Sequence, residues 1–305
     1  MSSLQDTFSA CPICSSTEVS SLLQLKDFSL TQQHFQILEC EQCSLRYTFP
    51  IPSVDEIAPY YDFPEYISHT DSTKGWMHQL YHKVRNHTLT QKTNWIQSLF
   101  TGYKGQLLEI GAGTGAFAHA MQKKGWTVTA LEPDEASRGR ALQNYGISLL
   151  SSESLFELPE NTYDVITLWH VLEHVHALKE YVQCFQKLLK PNGRLIIAVP
   201  NYTSYDASFY KQFWAAYDVP RHLYHFAPSA MRYLMKKNGL EVLDAKAMWF
   251  DSFYVGLLSE KYKKSGKLGV IRAFWIGLCS NLFALNNPEK ASSLVYTIRK
   301  QKPFI

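Results

Sequence analysis

Three groups of residues in this chain have the types and spacing to do chemistry. The first is Cys11-Pro12-Ile13-Cys14 with Cys40-Glu41-Gln42-Cys43, two C-x-x-C knuckles separated by 25 residues. Each knuckle can turn two thiolates toward one tetrahedral ion, and four thiolates close the shell of a structural zinc with no position left for reaction. The opening residues lack a basic segment followed by an apolar run, so the chain is expected in the cytoplasm, where close cysteine pairs hold metal rather than form disulfides. A module this small has little core of its own, so the metal would contribute much of its folding energy. The interval is longer than that of a standard ribbon, which predicts a longer hairpin between the knuckles.

The second group is Leu107-Leu108-Glu109-Ile110-Gly111-Ala112-Gly113-Thr114-Gly115, an apolar strand running into a glycine turn and then a helix. Glycines allow the tight turn and let a ligand approach the backbone closely. The spacing of Gly111, Gly113 and Ala116 also satisfies the dinucleotide pattern. Two carboxylates argue against a pyrophosphate. Glu109 at the strand end would welcome a cationic group, and Glu132, 21 positions after Gly111, can accept from both hydroxyls of a ribose.

The third group is histidine. His170 follows Trp169 at the end of an apolar run, and Arg221, His222, Tyr224 and His225 crowd a five-residue stretch. A histidine titrating near neutrality suits proton removal, and Arg221 suits an anionic partner.

The elements that must position these groups follow from alternation. Short apolar runs at 107–110, 128–131, 147–150, 165–169 and 195–199 read as strands. Helical segments at 115–124, 134–144, 177–189 and 229–238 lie between or after them. This is the pattern of a doubly wound α/β sheet with parallel strands. Lys190-Pro191-Asn192-Gly193 predicts a helix end, and 241–248 and 294–298 read as two further strands. Between these two lies an insertion at about 250–290, in which Ile271, Trp275, Leu278, Leu282 and Leu285 recur at helical spacing. That stripe is expected to pack on the domain, with a dimer contact or a membrane-facing lip as the other readings. The organisation is thus a cysteine module at 1–52, a helical linker or lid at 53–104, and the α/β domain at 105–305.

Glu109-x-Gly111-x-Gly113-x-Gly115, Glu132-Pro133 and Trp169-His170-Val171-Leu172-Glu173-His174 resemble the class I S-adenosylmethionine (SAM)-dependent methyltransferases, the small-molecule branch above all. The likeness covers about residues 100–250. It implies a seven-strand Rossmann-like sheet whose last strand inserts antiparallel. It also implies that Glu109 helps hold the methionine part of SAM, that Gly111, Ala112 and Gly113 pass beneath it, and that Glu132 and Pro133 meet the ribose. Ser154 and Leu155 take the position bordering the adenine, where the family often carries Asp, and Trp169 faces the same crevice. His170, His222 and His225 are the candidate bases. Arg221 and Tyr224 are candidate acceptor contacts, and Tyr66 and His69 lie where relatives carry a lid over the cofactor. Some relatives use neighbouring Glu and His as metal ligands. Here His170 stands three before Glu173, where the metal-dependent RNA-end methylases carry Glu, and that departure weakens a metal reading.

Composition narrows the partners. A net charge of +3 over 305 residues, with basic residues concentrated only at Lys261, Lys263, Lys264 and Lys267, points away from a nucleic-acid groove. The apolar run at 268–285 is short and interrupted for a membrane span, and leaves peripheral contact open. The resemblance to the small-molecule branch then implies that the acceptor is a small metabolite, sugar or lipid-like precursor, methylated on O or C. An RNA methyltransferase docking through its zinc ribbon, a nicotinamide-dependent oxidoreductase and an inactive SAM-binding scaffold are the alternatives. The oligomeric state is not legible.

Overall fold

The computed structural model describes residues 10–61 and 76–301. The predicted lid residues Tyr66 and His69 lie outside the described residues. The central sheet is built around runs that bury nearly every side chain in β4, β6 and β10, with more exposed strands toward its edges. β4 (Gln106–Ile110), β5 (Thr127–Leu131), β6 (Tyr163–Trp169) and β7 (Leu189–Pro200) pair in parallel. β10 (Ser293–Lys300) then inserts antiparallel between β7 and the edge strand β9 (Leu240–Ala247). The order β5-β4-β6-β7-β10-β9 makes a mixed sheet of six strands. The run at 147–150, expected as a further strand, contributes a single bridge, Leu150 to Leu131. The predicted turn at 190–193 is a bulge within β7: the register jumps from Tyr163 opposite Leu189 to Val165 opposite Arg194.

Helices cover both faces. α2 (Trp76–Leu99) packs on α3 (Ala116–Lys123), and α4 (Glu135–Tyr145) starts where the Asp134 carboxylate accepts from Ser137 N and ends at the left-handed Gly146. α5 (Leu178–Leu188) buries Leu178, Val182, Phe185 and Leu188, one stripe at helical spacing, in the main core. α7 (Pro228–Lys237) opens with proline in its first turn.

The cysteine module is a sheet of its own. β1 (Val19–Lys26), β2 (His34–Cys40) and β3 (Arg46–Phe49) form an antiparallel meander, preceding the short α1 (Val54–Ile57). The sequence boundary at residue 52 is not a gap in packing. β8 (Tyr224–His225), from the α/β region, pairs with β3, and Ile13, Leu38, Leu45 and Tyr47 share a core with the central sheet.

The insertion folds as a helical hairpin that includes α6 (Tyr205–Tyr210) among its contacts: α8 (Asp251–Tyr262) and α9 (Gly266–Asn286). Here the expected packing is reversed. Ile271 is 69% exposed, Trp275 63%, Leu282 52% and Leu285 67%, and Leu278 is also exposed. Small residues face inward instead. A Cβ on Gly277 would lie 2.7 Å from the Phe253 ring, and one on Gly256 3.1 Å from the Ala273 carbonyl. Close approach of the two helices needs Gly269, Ala273 and Gly277 at the contact, which turns the large apolar side chains outward.

Candidate functional site

The glycine turn joins β4 to α3, with Gly111, Gly113 and Gly115 all at positive φ. A Cβ on Gly111 would meet Val171 Cγ2 at 2.4 Å, whereas the space beside Gly113 is open. Glu109 is buried beside this turn, and its Oε2 has no hydrogen-bond partner. Burial pushes its pKa up to about 8, against the attraction of Lys92 from α2. An orphaned carboxylate oxygen under an open turn fits the ammonium of an amino-acid ligand. Glu132, at the end of β5, accepts from Gly113 N at 2.7 Å through Oε2 and from Asp134 N at 3.0 Å through Oε1. Each oxygen keeps a second lone pair for a ribose hydroxyl.

The other predicted cofactor contacts cluster around this turn. Ala112 donates its N–H to Leu131 O and packs beside Ala118, Ala130 and Ala141. Pro133 is exposed, its carbonyl accepting from Arg138 at 2.7 Å. Ser154 is half-buried in the 3-10 turn Ser152–Glu157, where Leu155 plugs into the main core. The Trp169 ring packs edge-on against Phe117 and Trp95, with Lys92 Nζ 4.2 Å above it.

The histidines separate by environment. His170, at positive φ after β6, places Nδ1 3.4 Å from Glu173 Oε1 and Nε2 3.2 Å from Asp251 Oδ2. Burial opposes its charge, but the two carboxylates outweigh it and push the pKa up to about 9. With both ring nitrogens facing carboxylates, His170 is a cation at neutral pH and not a ready base. His225 lies in β8 with Nε2 3.2 Å from Thr48 Oγ1, and Thr48 donates its proton to His222 O. Burial, with His222 and Arg46 adding to it, pushes His225 well below the usual histidine range, so it is a neutral tie between β8 and β3. His222 is half-buried, its Nδ1 2.9 Å from Ala216 O, with its ring edge-on to His174.

Arg221 and Tyr224 are committed to the fold rather than to an acceptor. The Arg221 guanidinium is buried and donates to Asp218, Asp27 and Tyr60 O. Tyr224 donates its hydroxyl to His176 O at 3.1 Å. Lys92 and Asp251, which the sequence did not single out, also reach the site. Lys92 comes from α2, and Asp251 comes from the first turn of the insertion hairpin. Tyr61 Oη lies 3.0 Å from His174 Nδ1. No local motif marks them, because each arrives through tertiary packing.

The four cysteines of the module converge. Cys11 Sγ lies 3.5 Å from Cys43 Sγ, Cys14 Sγ lies 3.4 Å from Cys40 Sγ, and all four sulfurs lie within 4.8 Å of one another. The edge of a tetrahedral four-thiolate zinc site is about 3.8 Å, so the donor set and spacing fit such an ion.

A methyltransferase domain model matches residues 78–245, more than half of the chain. The chain belongs to the methyltransferase domain family. Ubiquinone biosynthesis O-methyltransferase of Pseudomonas savastanoi pv. phaseolicola is 25% identical over 193 residues, covering 59% of this chain and 81% of that protein. The Rickettsia prowazekii protein of the same description is 25% identical over 219 residues, covering 68% and 84%. The crystal structure of magnesium protoporphyrin IX methyltransferase from Synechocystis, solved with bound S-adenosylhomocysteine, superposes with a TM-score of 0.54 at 12% identity. It covers 81% of this chain and all of that one, and the likeness shows the shared fold. The enzyme is thus a SAM-dependent methyltransferase.

Proposed function

We propose that this methyltransferase moves the methyl group of SAM to an oxygen of a small, lipid-like acceptor while docked on a membrane surface. The observation that carries the donor half is the orphaned Glu109 Oε2 beside a glycine turn that Glu132 closes. Glu109 would hold the ammonium, Glu132 the ribose hydroxyls, and Ser154 and Leu155 would border the adenine. Transfer is an in-line displacement: the acceptor oxygen forms a bond to the methyl carbon, the carbon–sulfur bond breaks, and S-adenosylhomocysteine leaves. The chain's main task is alignment, together with removal of the acceptor's proton. That proton would leave toward the acceptor cluster of Glu173, His174 and His222, just past the end of β6.

The oxygen acceptor is supported by the relatives described as O-methyltransferases. The membrane surface is supported by α9. Its outer face exposes Leu268, Val270, Ile271, Phe274 and Trp275, next to exposed Lys261, Lys264 and Lys267 at the hairpin turn. An apolar helical face flanked by cations and tryptophan matches an anionic lipid interface, where rings and aliphatic chains sit among headgroups. In the cysteine module, we assign a structural zinc to Cys11, Cys14, Cys40 and Cys43.

The test is transfer from methyl-labelled SAM to three acceptor classes: prenylated phenols in anionic vesicles, sugar nucleotides, and RNA. Label recovered in the vesicle lipid supports the reading. Label in RNA, or in sugar nucleotides alone, overturns it.

A further inference from the structure

A groove of about 420 Å³ lies at the seam between the cysteine-bearing sheet and the α/β domain, lined from β1 and β3 on one side and from the segment after β7 on the other. Three cations line it, Arg46, Lys211 and Lys290, and no carboxylate does. The Arg46 guanidinium is fixed in place. Its Nε donates to Glu39 Oε2 at 3.1 Å, its Nη1 donates to the Tyr217 hydroxyl at 2.9 Å, and its Cζ lies 3.8 Å from the centre of the Tyr202 ring. Glu39 offsets the charge of Arg46, but exposed Lys211 and Lys290 pair with no carboxylate among the described residues. Glu289, next to Lys290, is taken by Arg232. Lys211 is also held at φ 50° and ψ −122°, a backbone that glycine adopts freely and lysine only under strain. Strain of this kind clusters where a side chain serves a ligand.

We propose that this seam groove, lined by Arg46, Lys211 and Lys290, is an anion site that takes the phosphate or diphosphate group of a ligand. A rigid guanidinium and two mobile ammonium groups suit an oxyanion of several charges. A phosphate ester carries about −1.5 to −2 charges at pH 7, which matches the two lysines that lack partners. The groove also adjoins the helical hairpin. α6 lines it with Ala207 and Ser208, and stacks Tyr205 on the exposed Phe283 of α9 with ring centres 4.8 Å apart. A phospholipid headgroup reached along that face and a soluble phosphate ester offer the site the same chemistry. No residue assigned to SAM lines the groove, so the inference stands apart from the methyltransferase reading.

The experiment is calorimetric titration of inorganic pyrophosphate into the full-length protein, with S-adenosylhomocysteine present. Salt at about 0.15 M screens exposed charges more than roughly 8 Å apart. Saturable binding is expected. Lys211→Glu combined with Lys290→Glu should weaken it about 10–100-fold through the loss of charged contacts. The same change of charge at exposed Lys123 and Lys236 should leave it in place. Lys211→Gly should also weaken binding while melting no lower than the wild type, which separates lost affinity from lost fold. Vesicles containing phosphatidic acid then identify the source of the phosphate. Weaker sedimentation of the Lys211/Lys290 variant than of the Lys123/Lys236 variant assigns a lipid headgroup, and equal sedimentation assigns a soluble ester. The proposal is overturned by a wild type that binds no pyrophosphate, by binding indifferent to Lys211 and Lys290, or by an equal loss in the Lys123/Lys236 variant.

Discussion

Arg221 Nη2 lies 3.0 Å from Asp27 Oδ1, and both side chains are buried. The pair ties the loop after β1 to the loop before β8, so the cysteine-bearing sheet is welded to the catalytic domain. Removing one partner of such a pair strands the other charge. Arg221→Ala should therefore cost about 3–5 kcal/mol in urea unfolding. A variant of unchanged stability with a raised KM would instead return Arg221 to the acceptor site.

Glu109 predicts a proton linkage. Burial holds its pKa at about 8 in the free protein, so at pH 7 it is mostly protonated. A bound ammonium favours the carboxylate and lowers that pKa. Binding of S-adenosylhomocysteine should therefore release a proton at pH 7 and tighten as pH rises toward 8. Calorimetry in buffers of different ionisation enthalpy reads the release, and Glu109→Gln should abolish it. Heats independent of buffer would contradict the assignment.

The arrangement we assign to the donor was legible in the sequence because it is local. Strand, glycine turn and Glu109 are contiguous, and Glu132 ends the next strand. The acceptor half was not, because Arg221, His225 and Tyr224 look alike in a string whether they face a crevice or a neighbouring strand. Pairing of β3 with β8 placed Tyr224 and His225, and the carboxylates of Asp27 and Asp218 took Arg221. The Ile271–Leu285 stripe misled for a related reason. Helical spacing reveals an apolar face, but glycine and alanine opposite it, which permit close helix contact, determined which side was buried.

That exposed face predicts membrane binding. The protein should sediment with vesicles of anionic phospholipid, more weakly at high salt as the hairpin cations are screened. Ile271→Glu with Trp275→Glu should abolish sedimentation without changing affinity for S-adenosylhomocysteine. A wild type that ignores vesicles and self-associates through this face would contradict the lipid assignment.

Removal of the zinc we assign to the four cysteines should be felt beyond the knuckles. Cys40 sits at the end of β2, and β2 carries β3, which pairs with β8. Chelation, or Cys40→Ser, should lower the melting temperature of the whole chain in a single transition. A separate low-temperature step with an unchanged main transition would show the module to be thermodynamically independent.

The most direct test of the account is calorimetric titration of S-adenosylhomocysteine into the metal-loaded protein, with Glu132→Ala as the control. The account predicts saturable binding at one site, weakened about 10–100-fold by the loss of charged hydrogen bonds in the variant. No binding to the folded protein, or equal binding to both, would contradict it.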